Sequence, residues 1–394
     1  MTTVNLPPRS ASHQDDLQSV EEVFRYYRDR GLDPGYQGHF EERYAEQFVD
    51  YMGGKGYADA VCTGTAAVFV ALASLRLPAG SHVVLSPVTD PGTVSAIIFN
   101  GLVPVVADSE PGSYNIGPEQ FESRITPETR AAVIVHLGGK AARIDEIVAV
   151  ASRHAIRVVE DCSQAHGARL NGKIVGSFGD IAAFSTMYRK AHATGGCGGV
   201  VYTRDRNLYE MARACADRGK PFFREGFDEK NPGGFLFPAL NLNLDEISCA
   251  LGIRSLRKLE DTRRRRIAFL KKLDTRLHGL EGVSLAPVSD EDSPFFHPVT
   301  VDDKKLGCTA ADFGTELQQQ GVAVNPHYDY VVAEWPWVLP YLKGERTCPN
   351  AAAMRDRSFN LLFNENFGDP EIEFIGTMFR KTSGDHIRRK RNIP

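Results

Sequence analysis

The sequence lacks the features that mark membrane, secreted and zinc-binding proteins. No apolar run approaches the roughly 20 residues that a helix needs to span a bilayer, and the N-terminal stretch has no signal-peptide pattern. The seven cysteines are scattered, with neither a CxxC pair nor a spaced His/Cys cluster, so we expect no zinc site and reduced thiols. The formal net charge is only −4. Together these absences predict a cytoplasmic protein that binds neither nucleic acid nor membrane.

The length of the chain and the changes in its composition predict its domains. At roughly 100–200 residues per domain, 394 residues correspond to two or three domains. We expect a loose polar tail over residues 1–16, a large domain over 17–260, and a smaller α/β domain over 261–394 that ends in a disordered basic tail. A Gly/Pro/Phe-rich loop at 222–241 precedes a long helix from about Leu244 to Leu280, whose basic run predicts a solvated face or an interface.

Short apolar runs alternate with helical stretches from Tyr57 to about Thr203. The runs are continuous, as in strands that are buried on both faces. They lie at 83–85, 104–107, 132–136, 156–160, 181–185 and 199–203, with helical stretches at 66–75 and 144–154 among them. This alternation predicts an α/β fold whose mostly parallel sheet is covered by helices on both faces.

Two segments at the predicted strand ends carry groups that suit an anion and a cation. Gly64, Thr65 and Ala66 begin an apolar helix, where free backbone N–H groups and the helix dipole favour phosphate. Alternatively, Thr63 or Thr65 serves only as the N-cap. Asp161 ends a buried strand and could pair with a cationic ligand group, or it could cap the following turn.

Lys190 follows another strand end, five residues after Ser185, and four glycines follow it within the stretch 195–199. A lysine can form a Schiff base with an aldehyde, and burial frees its amine by lowering the pKa. Glycines let the backbone approach a ligand closely. The alternative is an ordinary solvated lysine in a loop. Asn241, near the start of the long helix, either reaches a phosphate or caps that helix.

Taken together, these segments resemble the DegT/StrS family of sugar aminotransferases, which depend on pyridoxal 5′-phosphate (PLP). The matching stretches are GTAA (64–67), VHLGG (135–139), EDCSQAHG (160–167), SxxxxK (185–190) and TGGCGG (194–199). The resemblance extends roughly from Gly35 to Lys381 and weakens in the last hundred residues. It implies the three-layer α/β fold of fold type I PLP transferases, with a large PLP-binding domain and a smaller C-terminal α/β domain.

The resemblance also implies a role for each matching residue. Lys190 would form the Schiff base with PLP, Asp161 would pair with the protonated pyridine nitrogen, and Gln164 would contact the ring hydroxyl. The phosphate would be held by Gly64, Thr65, Ala66 and Ser185, together with Asn241 of a neighbouring subunit in a homodimer. The implied reaction aminates a keto-sugar, which we expect to be nucleotide-linked, with L-glutamate as donor and 2-oxoglutarate as co-product. Alternatives are a cyclitol or other ketone as substrate, a dehydratase, or a regulatory protein without catalysis.

Four positions depart from the family pattern. Asp90 stands where an aromatic residue commonly stacks on the cofactor ring; it could meet a substrate hydroxyl or amine, or bond to Thr93. Cys197 replaces a frequent acid, and Asn243 replaces a common arginine. The loop after Lys190 has one extra residue. Because some relatives carry histidine in place of the lysine, His192 is a competing candidate, but the spacing from Ser185 favours Lys190.

Overall fold

A seven-stranded sheet forms the centre of the larger part of the computed structural model, which describes residues 13–391. The strands of this part are β1 (Tyr57–Val61), β2 (His82–Leu85), β3 (Val103–Val106), β4 (Thr129–Val135), β5 (Arg157–Asp161), β6 (Arg169–Leu170), β7 (Lys173–Ile174), β8 (Ile181–Ser185) and β9 (Gly199–Thr203). The sheet has the order β1-β9-β8-β5-β4-β2-β3, and β6 and β7 form a separate hairpin. Only β9 runs antiparallel to its neighbours, so the prediction of a mostly parallel sheet is confirmed.

Helices cover both faces of this sheet. They are α1 (His13–Arg28), α2 (His39–Tyr51), α3 (Gly64–Ser74), α4 (Pro91–Phe99), α5 (Pro118–Glu122), α6 (Ile144–Arg153) and α7 (Arg206–Ala216). In β2, Val83 and Leu85 pack into the core that holds α3, α4 and α7, while Val84 packs into the opposite core with α6. Since both faces are buried, the strands carry the continuous apolar runs from which they were predicted.

A 32-residue helix, α8 (Glu246–Leu277), connects the central sheet to a second, smaller sheet. The later strands are β10 (Val283–Leu285), β11 (His297–Val301), β12 (Val324–Asn325) and β13 (Ser358–Leu361), paired antiparallel in the order β10-β11-β13-β12. The later helices are α9 (Asp303–Leu306), α10 (Ala310–Gln319), α11 (Pro349–Asp356) and α12 (Asp369–Arg391). Phe313, Phe359 and Phe379 fill the core of this part, which also includes Leu270 and Leu273 of α8.

The chain ends differ from the sequence-based expectation. Helix α1 begins at His13, so the loose tail predicted for 1–16 is wrong for residues 13–16, and residues 1–12 lie outside the described part. The disordered basic tail is wrong for residues 386–391, which belong to α12, while 392–394 are not described. The predicted domain boundary at 260/261 falls inside α8. Among residues 13–391, no helix is long and apolar enough to cross a membrane.

Candidate active site

Lys190 is buried although it lies in the loop between β8 and β9. The residue is 8% exposed, and its Nζ lies 4.4 Å from the centroid of the Phe295 ring. Burial lowers the pKa of Lys190 to about 8, and the attraction of Asp161 and Asp90 only partly opposes this. An appreciable fraction of the amine is therefore unprotonated near neutral pH, as a nucleophilic lysine requires. The alternative of a solvated loop lysine is thereby excluded.

Asp161, at the end of β5, has a buried carboxylate held by two donors. The Thr93 hydroxyl donates to its Oδ2 over 2.9 Å, and the Ser163 backbone N–H donates to its Oδ1 over 3.1 Å. Asp161 therefore does cap the following turn, as the second interpretation expected. A carboxylate offers about four lone-pair sites, so these two bonds leave it able to receive a cationic N–H group.

The start of α3 lies directly against the end of β8. A Cβ placed on Gly64 would be 2.3 Å from the Cβ and 2.7 Å from the Oγ of Ser185, so only glycine permits this approach. The N-cap is Thr63, whose hydroxyl accepts from the Ala66 N–H over 3.0 Å. Thr65 is exposed, and its hydroxyl lies beside Gly92. The first turn of α3 contains no acidic residue, so it suits an anion.

Gln164 and Phe295 both bond to Gly138, which takes a left-handed conformation with φ of 66°. The Gln164 Oε1 accepts from the Gly138 N–H over 2.8 Å, and the Phe295 N–H donates to the Gly138 carbonyl over 3.0 Å. Burial raises the pKa of Tyr328, although a hydrogen bond with Gln164 partly offsets the effect. A segment from the smaller sheet region is thus fixed next to Lys190.

Asp90 and Asn241 behave differently from the other predicted site residues. Asp90 is the exposed N-cap of α4, and its Oδ1 accepts from the Gly92 N–H over 2.8 Å. Its side chain does not take the suggested bond to Thr93, because the Thr93 hydroxyl donates to Asp161 instead. Asn241 is exposed, and its Oδ1 accepts from the Asn243 side chain over 2.7 Å. Asn241 is not the cap of α8, since Asp245 has that role.

The competing histidine lies in the core. His192 is fully buried, and its Nε2 lies 2.5 Å from the Tyr44 hydroxyl, with Phe48 nearby. Its side chain therefore points into the helix-packed interior. Cys197, the other departure in this loop, is exposed.

A buried group of His136, Glu160 and Cys162 has its ligand atoms within 4.8 Å of one another. The Glu160 carboxylate, however, already accepts from the backbone N–H groups of residues 176, 178 and 179 and from His136 Nε2. Burial raises the pKa of Glu160, but these hydrogen bonds outweigh it and lower the pKa. Because His136 Nδ1 accepts from the Ala142 N–H, both polar side chains are engaged. His136 and Glu160 therefore belong to a buried hydrogen-bond network at the end of β5.

The structure brings most of the predicted site residues together at one edge of the sheet. The start of α3, where the phosphate is expected to bind, contacts Ser185. Lys190 lies close enough to Asp161 and Asp90 for their charges to affect its pKa. The Asn241 side chain bonds with Asn243 rather than with these residues, although the carbonyl of its neighbour Leu242 accepts from the Cys62 N–H next to the start of α3. Sequence reasoning missed Thr89 and Phe295, and it gave no individual role to Gly138, which lies in the matching stretch VHLGG. Thr89 and Thr93 could have been found from their four-residue spacing across a helix start, but nothing in the sequence near Phe295 indicates its role.

This sheet, with a buried lysine beyond one strand end and a buried carboxylate at another, defines the class of PLP-dependent transferases of fold type I. The chain belongs to the DegT/DnrJ/EryC1/StrS aminotransferase family, whose model matches residues 21–380. It is accordingly a PLP-dependent aminotransferase. The resemblance and the fold predicted from the sequence are both confirmed.

Individual relatives support the same conclusion. The chain is 31% identical over 302 residues to dTDP-3-amino-3,6-dideoxy-alpha-D-galactopyranose transaminase of Aneurinibacillus thermoaerophilus, covering 74% of this chain and 78% of the relative. It is 31% identical over 309 residues to L-glutamine:2-deoxy-scyllo-inosose aminotransferase of Micromonospora echinospora, covering 76% and 72%. The crystal structure of the aminotransferase from Psychrobacter cryohalolentis matches with a TM-score of 0.87 at 26% identity, covering 97% of this chain and 99% of that one.

Proposed function

We propose that this protein transfers an amino group from L-glutamate to the carbonyl carbon of a keto-sugar, with 2-oxoglutarate as co-product. The observation that carries the proposal is the buried Lys190, whose lowered pKa leaves a reactive amine within the electrostatic reach of Asp161. A nucleotide-linked sugar is the proposed substrate, because a relative at 31% identity is named as a transaminase of a dTDP-sugar.

The residues present fit PLP as a ligand. We assign Lys190 to the covalent bond with its aldehyde, Asp161 to the pyridine nitrogen and Gln164 to the ring hydroxyl. The phosphate is assigned to the α3 start, where Gly64 approaches Ser185 so closely that no side chain intervenes. The residues proposed to line the cofactor are Gly64, Thr65, Ala66, Asp90, Asp161, Gln164, Ser185 and Lys190, with Asn241 from a partner subunit.

PLP, when bound, supplies an electron sink for negative charge at the substrate carbon. The chain's own groups supply the proton chemistry. Asp161 favours the protonated form of a ring nitrogen because a buried carboxylate stabilises a nearby positive charge. With the cofactor bound, Lys190 Nζ would serve as the base that removes the proton from the donor carbon and as the acid that later delivers it. Its lowered pKa suits this double use, because the amine must be unprotonated to accept that proton.

A homodimer completes this proposal. Asn241 is exposed, its side chain bonds with Asn243, and its backbone forms an isolated β-bridge with Asp217. An exposed amide in this position can reach the phosphate of a second copy, which would place the active site at a subunit interface. The seven free cysteine thiols suit a reducing cytoplasm as the site of action.

A cyclitol ketone is the second candidate substrate. The relative from Micromonospora, also 31% identical, is named as an aminotransferase of a scyllo-inosose. The two candidates differ in whether the substrate carries a nucleotide. Turnover of a dTDP-linked keto-sugar but not of a free cyclitol ketone would support the first, and the reverse result the second.

The lysine assignment is tested by PLP capture in the apo protein. We expect the capture rate to rise with pH, to be half-maximal near pH 8 and to level off at higher pH, because only the unprotonated amine attacks the aldehyde. Borohydride reduction followed by peptide mass spectrometry should place the adduct on Lys190. Lys190→Ala should give no adduct, while Lys55→Ala, which changes an exposed lysine, should behave as wild type. In the wild type, glutamate alone should convert the bound cofactor to its amine form. A protein that binds no PLP would refute the proposal.

A further inference from the structure

Two buried threonine hydroxyls form a chain that ends on the Asp161 carboxylate. Thr89, Thr93 and Asp161 are 1%, 3% and 3% exposed. The Thr89 hydroxyl donates to the Thr93 hydroxyl oxygen over 3.0 Å, and the Thr93 hydroxyl donates to Asp161 Oδ2 over 2.9 Å. A hydroxyl has one proton to donate, so the proton of Thr93 is committed to Asp161 and its oxygen is left to accept from Thr89.

The turn between β2 and α4 fixes this chain in place. Asp90 caps α4 through the Gly92 N–H, and the Thr93 N–H donates to the Asp90 carbonyl over 3.0 Å. On the other side, the Val332 N–H donates to the Pro87 carbonyl over 2.9 Å, and Val88 bridges to Val331. Thr89, just before the N-cap Asp90, is thereby held within hydrogen-bond distance of Thr93 in the first turn of α4. The Asp90 side chain contributes to this turn through its cap on Gly92, and its backbone carbonyl holds the Thr93 N–H.

We propose that Thr93 is a positioning residue for the cofactor's ring nitrogen, acting through Asp161 and supported by Thr89. Its hydroxyl holds one carboxylate oxygen of Asp161 in place through a hydrogen bond over 2.9 Å, and a hydrogen bond to a carboxylate is stronger than one between neutral groups. Ser163 holds the other oxygen, so the carboxylate cannot rotate and its remaining lone pairs keep one direction. The inference rests on the proposed function, in which Asp161 pairs with the pyridine nitrogen.

Thr93→Val removes the hydroxyl while keeping the shape of the side chain. We expect its PLP dissociation constant, measured by equilibrium dialysis, to rise on the order of ten- to one-hundredfold, the range for losing a hydrogen bond to a charged group. Thr93→Ser should restore binding to within a few fold, because it restores the donor. Thr262→Val, at another buried threonine on α8, is the matched control and should bind PLP as wild type does.

Thermal unfolding of the apo variants separates positioning from a merely structural role. If Thr93 had only a structural role, Thr93→Val would lower the apo unfolding midpoint and leave the PLP affinity of the folded protein unchanged. That result would overturn the inference, and so would a Thr93→Ser variant that does not restore PLP binding. If Thr93→Val does not fold, Thr89→Val is tested in its place. We expect it to lose less PLP affinity than Thr93→Val would, and an unchanged PLP affinity would contradict the inference. Failure of the wild type to capture PLP would instead refute the proposed function itself.

Discussion

At the scale of single residues, the close contact between Gly64 and Ser185 leaves no room for a side chain at position 64 of the active site. Gly64→Ala would place a Cβ 2.3 Å from the Ser185 Cβ, so α3 must move away from β8. Since α3 and β8 belong to a close-packed core, we expect a loss of about 1–3 kcal/mol in the free energy of unfolding. PLP affinity should fall about tenfold or more, because the phosphate turn is displaced. Urea denaturation and a PLP titration measure the two effects.

Gly35→Ala is the control for this substitution, because nothing lies within 4 Å of a Cβ at Gly35 and its φ is not positive. It should leave stability and PLP affinity near the wild-type values. If Gly64→Ala bound PLP as tightly as Gly35→Ala, the assignment of the phosphate to this turn would be wrong.

The sequence could indicate the residues that end strands, and it could not indicate their distant partners. Asp161 and Lys190 follow apolar runs whose carboxyl ends must meet at one edge of a parallel sheet. Phe295 reaches Lys190 from more than a hundred residues along the chain, through a backbone bond to Gly138. Such a contact depends on tertiary packing, which leaves no local pattern. The side-chain partner of Asp90 was likewise undetermined, because an aspartate before proline fits both a cap and a ligand.

At the scale of elements, Glu246 connects α8 to two N-terminal helices. Its fully buried carboxylate accepts from the Phe40 and Glu41 N–H groups over 2.8 and 3.0 Å, and from the Tyr27 hydroxyl over 2.5 Å. An anion here also complements the α2 dipole. We expect Glu246→Ala to cost on the order of 3 kcal/mol in unfolding free energy, because buried donors lose their acceptor.

Glu46→Ala, at an exposed position of α2, serves as the comparison and should change stability by less than about 0.5 kcal/mol. Both variants are measured by urea denaturation followed by circular dichroism. Equal midpoints for the two variants would show that the Glu246 bonds contribute nothing net.

The strands were easier to predict than the chain ends. The runs behind β2, β4 and β5 are continuous and apolar because both faces are buried. The C-terminal segment is rich in Arg and Lys and was expected to be disordered, yet His386 and Ile387 pack on the smaller core, with His386 3.3 Å from Glu316. A few inward-facing residues are enough to dock a helix, and the charges on its other face conceal them in the composition.

At the scale of the whole molecule, the proposed dimer makes a prediction about mixed subunits. Lys190→Ala and Asn241→Ala should each lose most of the transaminase activity. A one-to-one mixture refolded together should regain up to about a quarter of it, because half of the dimers are mixed and each has one site with both native residues. Sedimentation must show every sample to be dimeric. No recovery in a dimeric mixture would place Asn241 outside the partner's site.

The long helix α8 has a consequence for how this protein can vary. Its first turn is hydrogen-bonded to α2, and the residues up to Leu259 pack in a core of the larger part of the molecule. Phe269, Leu270 and Leu273 pack in the core of the smaller part. A recombination point just after Leu259 would therefore leave each part of α8 packed on the core of its own parent. Exchange of the two halves between relatives, whether by natural recombination or in a chimaera library, should therefore succeed best with a crossover inside α8, because a crossover at either end would pack one face of this helix on a core from the other parent.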